Sequence, residues 1–136
     1  MLKSLRILAI EQYGADPFGT QFLSDMVVEV MKVENRAHVG DAGRTLGLAW
    51  LESGDARTRS LFFQGLNRGK QSLSLDQDRP EGRAVLMEIL AGSDAVMSNL
   101  RGDVRRKLGL TYDVLAPQFP HIGCEQGHAA TLRAHN

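Results

Sequence analysis

A single cysteine, Cys124, stands in 136 residues. No disulfide can close within the chain, so the stapled framework of small secreted domains is excluded. Long apolar runs are also missing. The stretch Ile7–Ile10 is too short for the core of a signal peptide, and no window approaches the ~20 apolar residues of a membrane span. Net charge is absent as well. Sixteen Lys and Arg balance sixteen Asp and Glu, which argues against nucleic-acid binding driven by bulk charge but leaves room for a local basic pocket. The usual nucleotide fingerprints are missing too. There is no Gly-x-Gly-x-x-Gly behind the first strand and no Gly-x-x-x-x-Gly-Lys-Ser/Thr; Gly40-Asp41-Ala42-Gly43 has the wrong spacing. A Gly-x-Ser-x-Gly elbow is likewise missing. The expectation is a soluble cytoplasmic protein with no membrane and no nucleic-acid partner.

What is present is alternation. Arg6–Ile10 is a short apolar run and reads as a buried strand. Pro17 suits the first turn of a helix with Asp16 as N-cap, and Phe18, Phe22, Leu23 and Met26 recur at helical spacing. Val27, Val28, Val30 and Val33 then read as a strand. From Glu34 to Ser60 the pattern weakens, with a short helix expected over Leu46–Leu51 and helical turns over Leu61–Leu66. Gln71–Asp76 alternates polar and apolar, as a half-buried strand does. Pro80 opens a helix with Val85, Leu86, Ile89 and Leu90 on one face, stopped at Gly92. Ala95–Met97 is a strand, Val104–Leu108 and Tyr112–Leu115 are helical pieces, and Pro120–Cys124 is a last strand. The order predicts an α/β fold, an open, mostly parallel Rossmann-like sheet with helices on both faces.

Candidate chemistry is sparse. His121, Cys124, His128 and His135 are potential zinc ligands, but they run from a strand into a patternless tail, and no metal is expected. Asn67-Arg68-Gly69-Lys70 is a basic turn, on its own more often solvated than a binding site. Arg101, Arg105, Arg106 and Lys107 form a second basic cluster. Ligands of open α/β folds sit beyond the carboxyl ends of the strands. The loops at Glu11-Gln12-Tyr13, Glu34-Asn35-Arg36 and Asn99–Arg101 occupy such positions, and two of them carry arginine. That pattern favours a phosphorylated ligand.

A family resemblance adds to this. Leu5-Arg6-Ile7-Leu8, Gln12-Tyr13 with Ala15 and Pro17-Phe18, Gln21–Asp25 and Glu29–Glu34 resemble the opening of the family III CoA-transferases, a group that includes formyl-CoA transferase, carnitine CoA-transferase and α-methylacyl-CoA racemase. The likeness continues through Gly40-Asp41 with Arg44, Asn67–Asp76, Pro80–Arg83, Ala95-Val96 with Asn99, and Leu108-Gly109-Leu110 with Tyr112. It implies a CoA-binding Rossmann-like domain over residues 1–124 and an unmatched tail over 125–136.

The resemblance implies CoA or acyl-CoA as ligand. It places Gln12, Tyr13, Gly14 and Ala15 along the pantetheine and diphosphate. Arg36, Lys70 and Lys107 would lie near the adenosine and its phosphates, and Asn99 and Leu100 beside the nucleotide. The topology is less comfortable with Lys70, which precedes its strand. The resemblance also implies a homodimer, because family members interlock. Ala9 stands where the family usually has Asp, and Asp16 and Val27 where it usually has Gly. Past Cys124 the family's Gly-rich segment and its later catalytic aspartate, or the His and Asp pair of the racemases, have no counterpart. The expectation is therefore a CoA-binding chain that is not catalytic alone. Two other readings stay open: a transferase or racemase subunit needing a second chain, and a structural protein with a decayed CoA site.

Overall fold

The computed structural model describes residues 4–38, 40–54 and 59–126. Five strands form one parallel sheet: β1 (Arg6–Ala9), β2 (Glu29–Asn35), β3 (Gln71–Leu75), β4 (Ala95–Ser98) and β5 (Gly123–Gln126), in the order β3-β2-β1-β4-β5. The helices are α1 (Ala15–Asp25), α2 (Leu61–Asn67), α3 (Pro80–Ala91), α4 (Gly102–Leu108) and α5 (Tyr112–Leu115), with short 3₁₀ turns at Arg36–His38 and Ala42–Thr45. The chain moves outward from β1 to β3, then returns to the far side of β1 for β4. This is the expected α/β fold, and it leaves a switch point between β1 and β4.

Ile7, Leu8, Ala9 and Ile10 are all buried because the central strand is covered on both faces. Leu8, Ile10, Val33 and Val96 face Leu86 and Leu90 of α3, with Leu108, Leu110, Leu115 and Ile122 completing that core. On the other face Ile7, Ala9, Val28 and Val30 pack with Leu23 of α1. Alternation along β2 carries Lys32 and Glu34 onto the same side as Val28 and Val30, and both are buried. So the α1 side of the sheet is apolar at its start and ionic towards its carboxyl end.

Several expectations shift. The first helix begins at Ala15 with Gly14 as N-cap, so Asp16 is a first-turn residue and not the cap. Its carboxylate still suits the positive end of the helix. Leu46–Leu51 is not helical; the 3₁₀ turn comes before it, and Trp50 bridges to Ser60 as an isolated antiparallel pair. Leu48 has no apolar partner there and is fully exposed, so nothing favours a helix. Val85 is 40% exposed, so the buried face of α3 is Gly82, Leu86 and Leu90. Gly82 is required by close approach, since a Cβ there would collide with the Asp76 carbonyl oxygen. Glu34 lies inside β2 and not after it, because the strand runs to Asn35.

Val27 follows the end of α1 with φ of 66°, a left-handed conformation that β-branched residues strongly disfavour. Its side chain is 61% exposed, so it contributes little packing in return. Val27→Gly is expected to stabilise the chain by about 1 kcal/mol, the relief of a cost of roughly 1–2 kcal/mol less the entropy of glycine. Thermal unfolding checks this; an unchanged or lowered midpoint would count against strain at Val27.

Candidate functional site

A cleft of about 470 Å³ opens at the carboxyl ends of β1, β2 and β4, where Ile10–Gln12, Val33–Asn35 and Asn99–Arg101 converge. Its remaining wall comes from Gly40 and Asp41, from Gln77 and Asp78, and from Val104, Lys107 and Leu108 of α4. It lies beside the switch point, where parallel α/β sheets hold their ligands.

The loop after β1 is fixed from both sides. Asn99 accepts from the Gln12 N–H at 3.0 Å through Oδ1 and donates from Nδ2 to the Gln12 carbonyl at 2.8 Å. This amide copies the pairing of a neighbouring strand and ties the loop after β1 to the loop after β4, beyond the last paired residues Ala9 and Met97. One residue on, the Tyr13 N–H donates to Asp41 Oδ1 at 3.2 Å. Tyr13 itself has φ of 73°, and its ring rests on Phe62 with centroids 5.4 Å apart.

Beneath that loop lies an ionic cluster. Glu11, Lys32, Asp41 and Lys70 have side chains at most 1% exposed. Lys70 Nζ donates to Glu11 Oε1 at 2.8 Å, to the Pro17 carbonyl at 2.9 Å and to Thr20 Oγ1 at 2.6 Å. Lys32 Nζ is paired with Asp41 Oδ2, donates to Asn67 Oδ1 at 2.7 Å, and lies 3.9 Å from Glu11. Glu34 takes Arg44 on both oxygens at 2.6 and 2.8 Å, the Ser72 hydroxyl at 2.7 Å and the Asp41 N–H at 2.8 Å. Burial works to raise the pKa of Glu34, but the Arg44, Ser72 and Asp41 donors outweigh it and hold the carboxyl down at about 2. Burial dominates at Lys70 and lowers its pKa, with Glu11 opposing. The Arg44 guanidinium also covers the Phe63 ring at 4.0 Å.

The residues proposed from the resemblance are thus placed unequally. Gln12, Asn99, Leu100 and Lys107 line the cleft. Tyr13, Gly14 and Ala15 continue the loop from Gln12 into α1, outside the cleft lining. Arg36 is exposed in the turn just beyond Asn35, at the rim side of β2. Lys70 is not at the cleft surface. Its strand begins at the opposite end, and its side chain is spent beneath α1 on Glu11 and Thr20. Lys107 Nζ pairs with Asp78 Oδ1 at 2.6 Å, and Arg101 pairs with Asp103 at 2.7 Å; both pairs are exposed. Exposed pairs are weak, so a phosphate can compete for either cation. Sequence reasoning put Arg101 beyond the carboxyl end of β4, where it lines the cleft, but missed Asp41, Glu34 and Arg44 as a fixed cluster. The available signal was a Lys and a Glu on the inward alternation of β2.

Among the described residues no group of His, Cys, Asp and Glu could hold a metal ion, and no helix is long and apolar enough to cross a membrane. His128 and His135 lie outside the described residues.

Comparison with known proteins gives this geometry a context. The model of CoA-transferase family III matches residues 2–125. A succinate–glutarate CoA-transferase of Agrobacterium fabrum is 35% identical over 122 residues, 89% of this chain and 30% of that protein. A succinyl-CoA:mesaconate CoA-transferase of Haloarcula hispanica is 32% identical over 121 residues, again 89% of this chain and 30% of its own length. The crystal structure of a CaiB/BaiF family protein from Brucella suis superposes with a TM-score of 0.83 at 29% identity, covering 92% of this chain and 32% of that one. The chain spans about 30% of the length of these curated relatives.

Proposed function

The chain belongs to CoA-transferase family III, and from that premise we propose that it binds CoA or an acyl-CoA thioester in the cleft beside β1 and β4. The observation that carries this reading is the convergence of a rigid β1 loop, Asn99-Leu100 and the cations Arg101 and Lys107 on one cleft. The loop forms a fixed part of the wall, and the two cations line the same cleft, where they could meet the phosphates of a nucleotide. Arg36 extends the basic rim from β2. The other acids of the lining do not oppose an anion strongly, because Glu11, Glu34 and Asp41 are neutralised by Lys70, Arg44 and Lys32.

Calorimetric titration with CoA is expected to show weak binding that declines with added salt, since the phosphate contacts are to exposed cations. Arg36→Ala and Lys107→Ala are each expected to weaken it by roughly three- to tenfold, the net worth of one hydrogen bond in water. No heat and no thermal stabilisation at millimolar CoA would overturn the reading and leave a structural role in its place. An unchanged affinity in either variant removes that residue from the site.

The same reading includes self-association as a homodimer. Phe18, Phe22 and Met26 recur along α1 and are each more than half exposed, with Val27 beside them. Phe18 and Phe22 meet edge to face at 4.8 Å, forming one apolar ridge. Apolar ridges of this kind are usually buried by association, and among the described residues β3 and β5 are the edge strands of the sheet. Sedimentation of the purified chain at high concentration is expected to give the dimer mass, and Phe22→Glu to shift it towards monomer. A strictly monomeric mass sinks this part of the proposal.

A further inference from the structure

Tyr13 presents a problem that packing does not solve. A tyrosine at φ of 73° sits in the left-handed region, which residues bearing a Cβ disfavour. Such a residue persists only when its surroundings over-determine it. Yet the Tyr13 side chain is 58% exposed, so burial does not hold it there. Its amide is what is held, by Asp41 Oδ1 at 3.2 Å, while Asn99 holds the preceding residue.

Asp41 is in turn unable to move. Its Oδ1 also accepts from the Gly43 N–H at 2.7 Å, capping the 3₁₀ turn, and its Oδ2 is paired with Lys32. Its own N–H donates to Glu34 Oε2 at 2.8 Å, and Glu34 is fixed by Arg44 and Ser72. The residue is 3% exposed. A carboxylate with so many fixed partners is a rigid post, and it stands between the β2 side of the cleft and the loop that follows β1.

We propose that Asp41 is a positioning residue for ligand binding: through the Tyr13 amide it holds the loop after β1 in its left-handed turn and so fixes the wall of the cleft at Gln12. The proposal rests on the CoA reading for the identity of that ligand. It assigns Asp41 no contact with CoA and no chemistry. Its energetic content is that Asp41 offsets the backbone cost at Tyr13 before the ligand arrives, so that binding does not have to order the loop.

A residue that acts this way loses its purpose when position 13 no longer resists a positive φ. Glycine adopts that region freely. The test is therefore a double-mutant cycle of Asp41→Asn with Tyr13→Gly on the 136-residue chain, read by CoA titration and by hydrogen exchange at the residue 13 amide. In the parent background, Asp41→Asn is expected to weaken CoA binding by about tenfold, the scale of one lost pre-organising bond. In the Tyr13→Gly background the same change is expected to cost about twofold or less. Exchange at the Tyr13 amide is expected to quicken by at least about tenfold in Asp41→Asn without CoA. Equal affinity losses in both backgrounds would overturn the proposal, because a general loss of stability acts alike in each. Unchanged exchange at Tyr13 would overturn it as well. If the parent chain does not bind CoA, the CoA reading fails, and exchange alone then decides the assignment of Asp41 to the loop. Should Asp41→Asn not fold, Lys32→Met/Asp41→Ala removes both members of the charge pair together with the acceptor of the Tyr13 N–H, and carries the same measurements.

Discussion

Lys70→Met is expected to destabilise the chain by about 3–5 kcal/mol, because it removes one partner from a buried ion pair and leaves the other uncompensated. Glu11 would keep the Thr20 hydroxyl and a Lys32 ammonium 3.9 Å away, and would lose its direct 2.8 Å cation. The side chains involved are 1% exposed or less, so solvent screening does not soften the loss. For a chain of this length the change corresponds to a fall of roughly 10–20 °C in the unfolding midpoint. The double variant Glu11→Gln/Lys70→Met is expected to recover much of it, since two neutral groups need no counter-charge. This measurement also separates two accounts of Lys70. A phosphate ligand at the cleft rim would lose affinity on substitution and leave the midpoint near that of the parent. An unchanged midpoint for Lys70→Met would therefore refute the structural role assigned here.

Lys70 also shows where the sequence was legible and where it was not. The alternation Gln71–Asp76 is visible in the residues alone, and it is β3. The apolar run Arg6–Ile10 is visible too, because a central parallel strand buried on both faces needs no polar residue until its end. These features depend on local periodicity. The cluster beneath the loop does not. Glu11, Lys32, Glu34, Asp41, Arg44 and Lys70 come from separate segments of the chain, and each one alone reads as a solvated charge. Only the pairing of β1, β2 and β3 in register brings them under α1. The failed helix over Leu46–Leu51 has the opposite cause. Its residues are apolar enough for a helix, but Gly47 adopts φ of 118° and Leu46, Leu48, Trp50 and Leu51 are all exposed. Composition suggested burial that no neighbouring element supplies.

The candidate site was legible in its placement and only partly in its roles. That ligand groups gather beyond the carboxyl ends of β1, β2 and β4 follows from strand order, and strand order follows from alternation. Asn99, read as lying beyond the carboxyl end of a strand, lines the cleft there. Both groups of its amide are engaged by the Gln12 main chain, which the sequence gives no means of seeing. The departures at Asp16 and Val27 resolve differently. Asp16 sits in the first turn of α1, where its charge is favourable, whereas Val27 retains a glycine-like backbone without the glycine.

The chain by itself is expected to show no acyl-CoA transfer and no racemisation above a buffer blank. Transfer through a carboxylate needs that oxygen free to attack the thioester carbonyl, form a mixed anhydride and release the CoA thiolate, with donors ready for the oxyanion. Of the acids that line the cleft, Glu11, Glu34 and Asp41 are buried and each is held by a cation. Their lone pairs are committed to donors that fix the loop, and releasing any of them would break the cluster. Asp78 is the more open one, and it is paired with Lys107 at 2.6 Å. Racemisation needs an acid and a base on opposite faces of one α-carbon, and each of these four carboxylates is already held by a cation. Loss of a nucleophile typically costs several orders of magnitude in rate. The assay mixes the pure chain with succinyl-CoA and a panel of carboxylic acids, and separately follows α-proton exchange of an acyl-CoA in deuterated water. Rates within error of the blank are expected in both. Turnover well above the blank that disappears in Asp78→Asn would overturn this and make the chain an enzyme in its own right, with Asp78 as the carboxylate that leaves its lysine to attack.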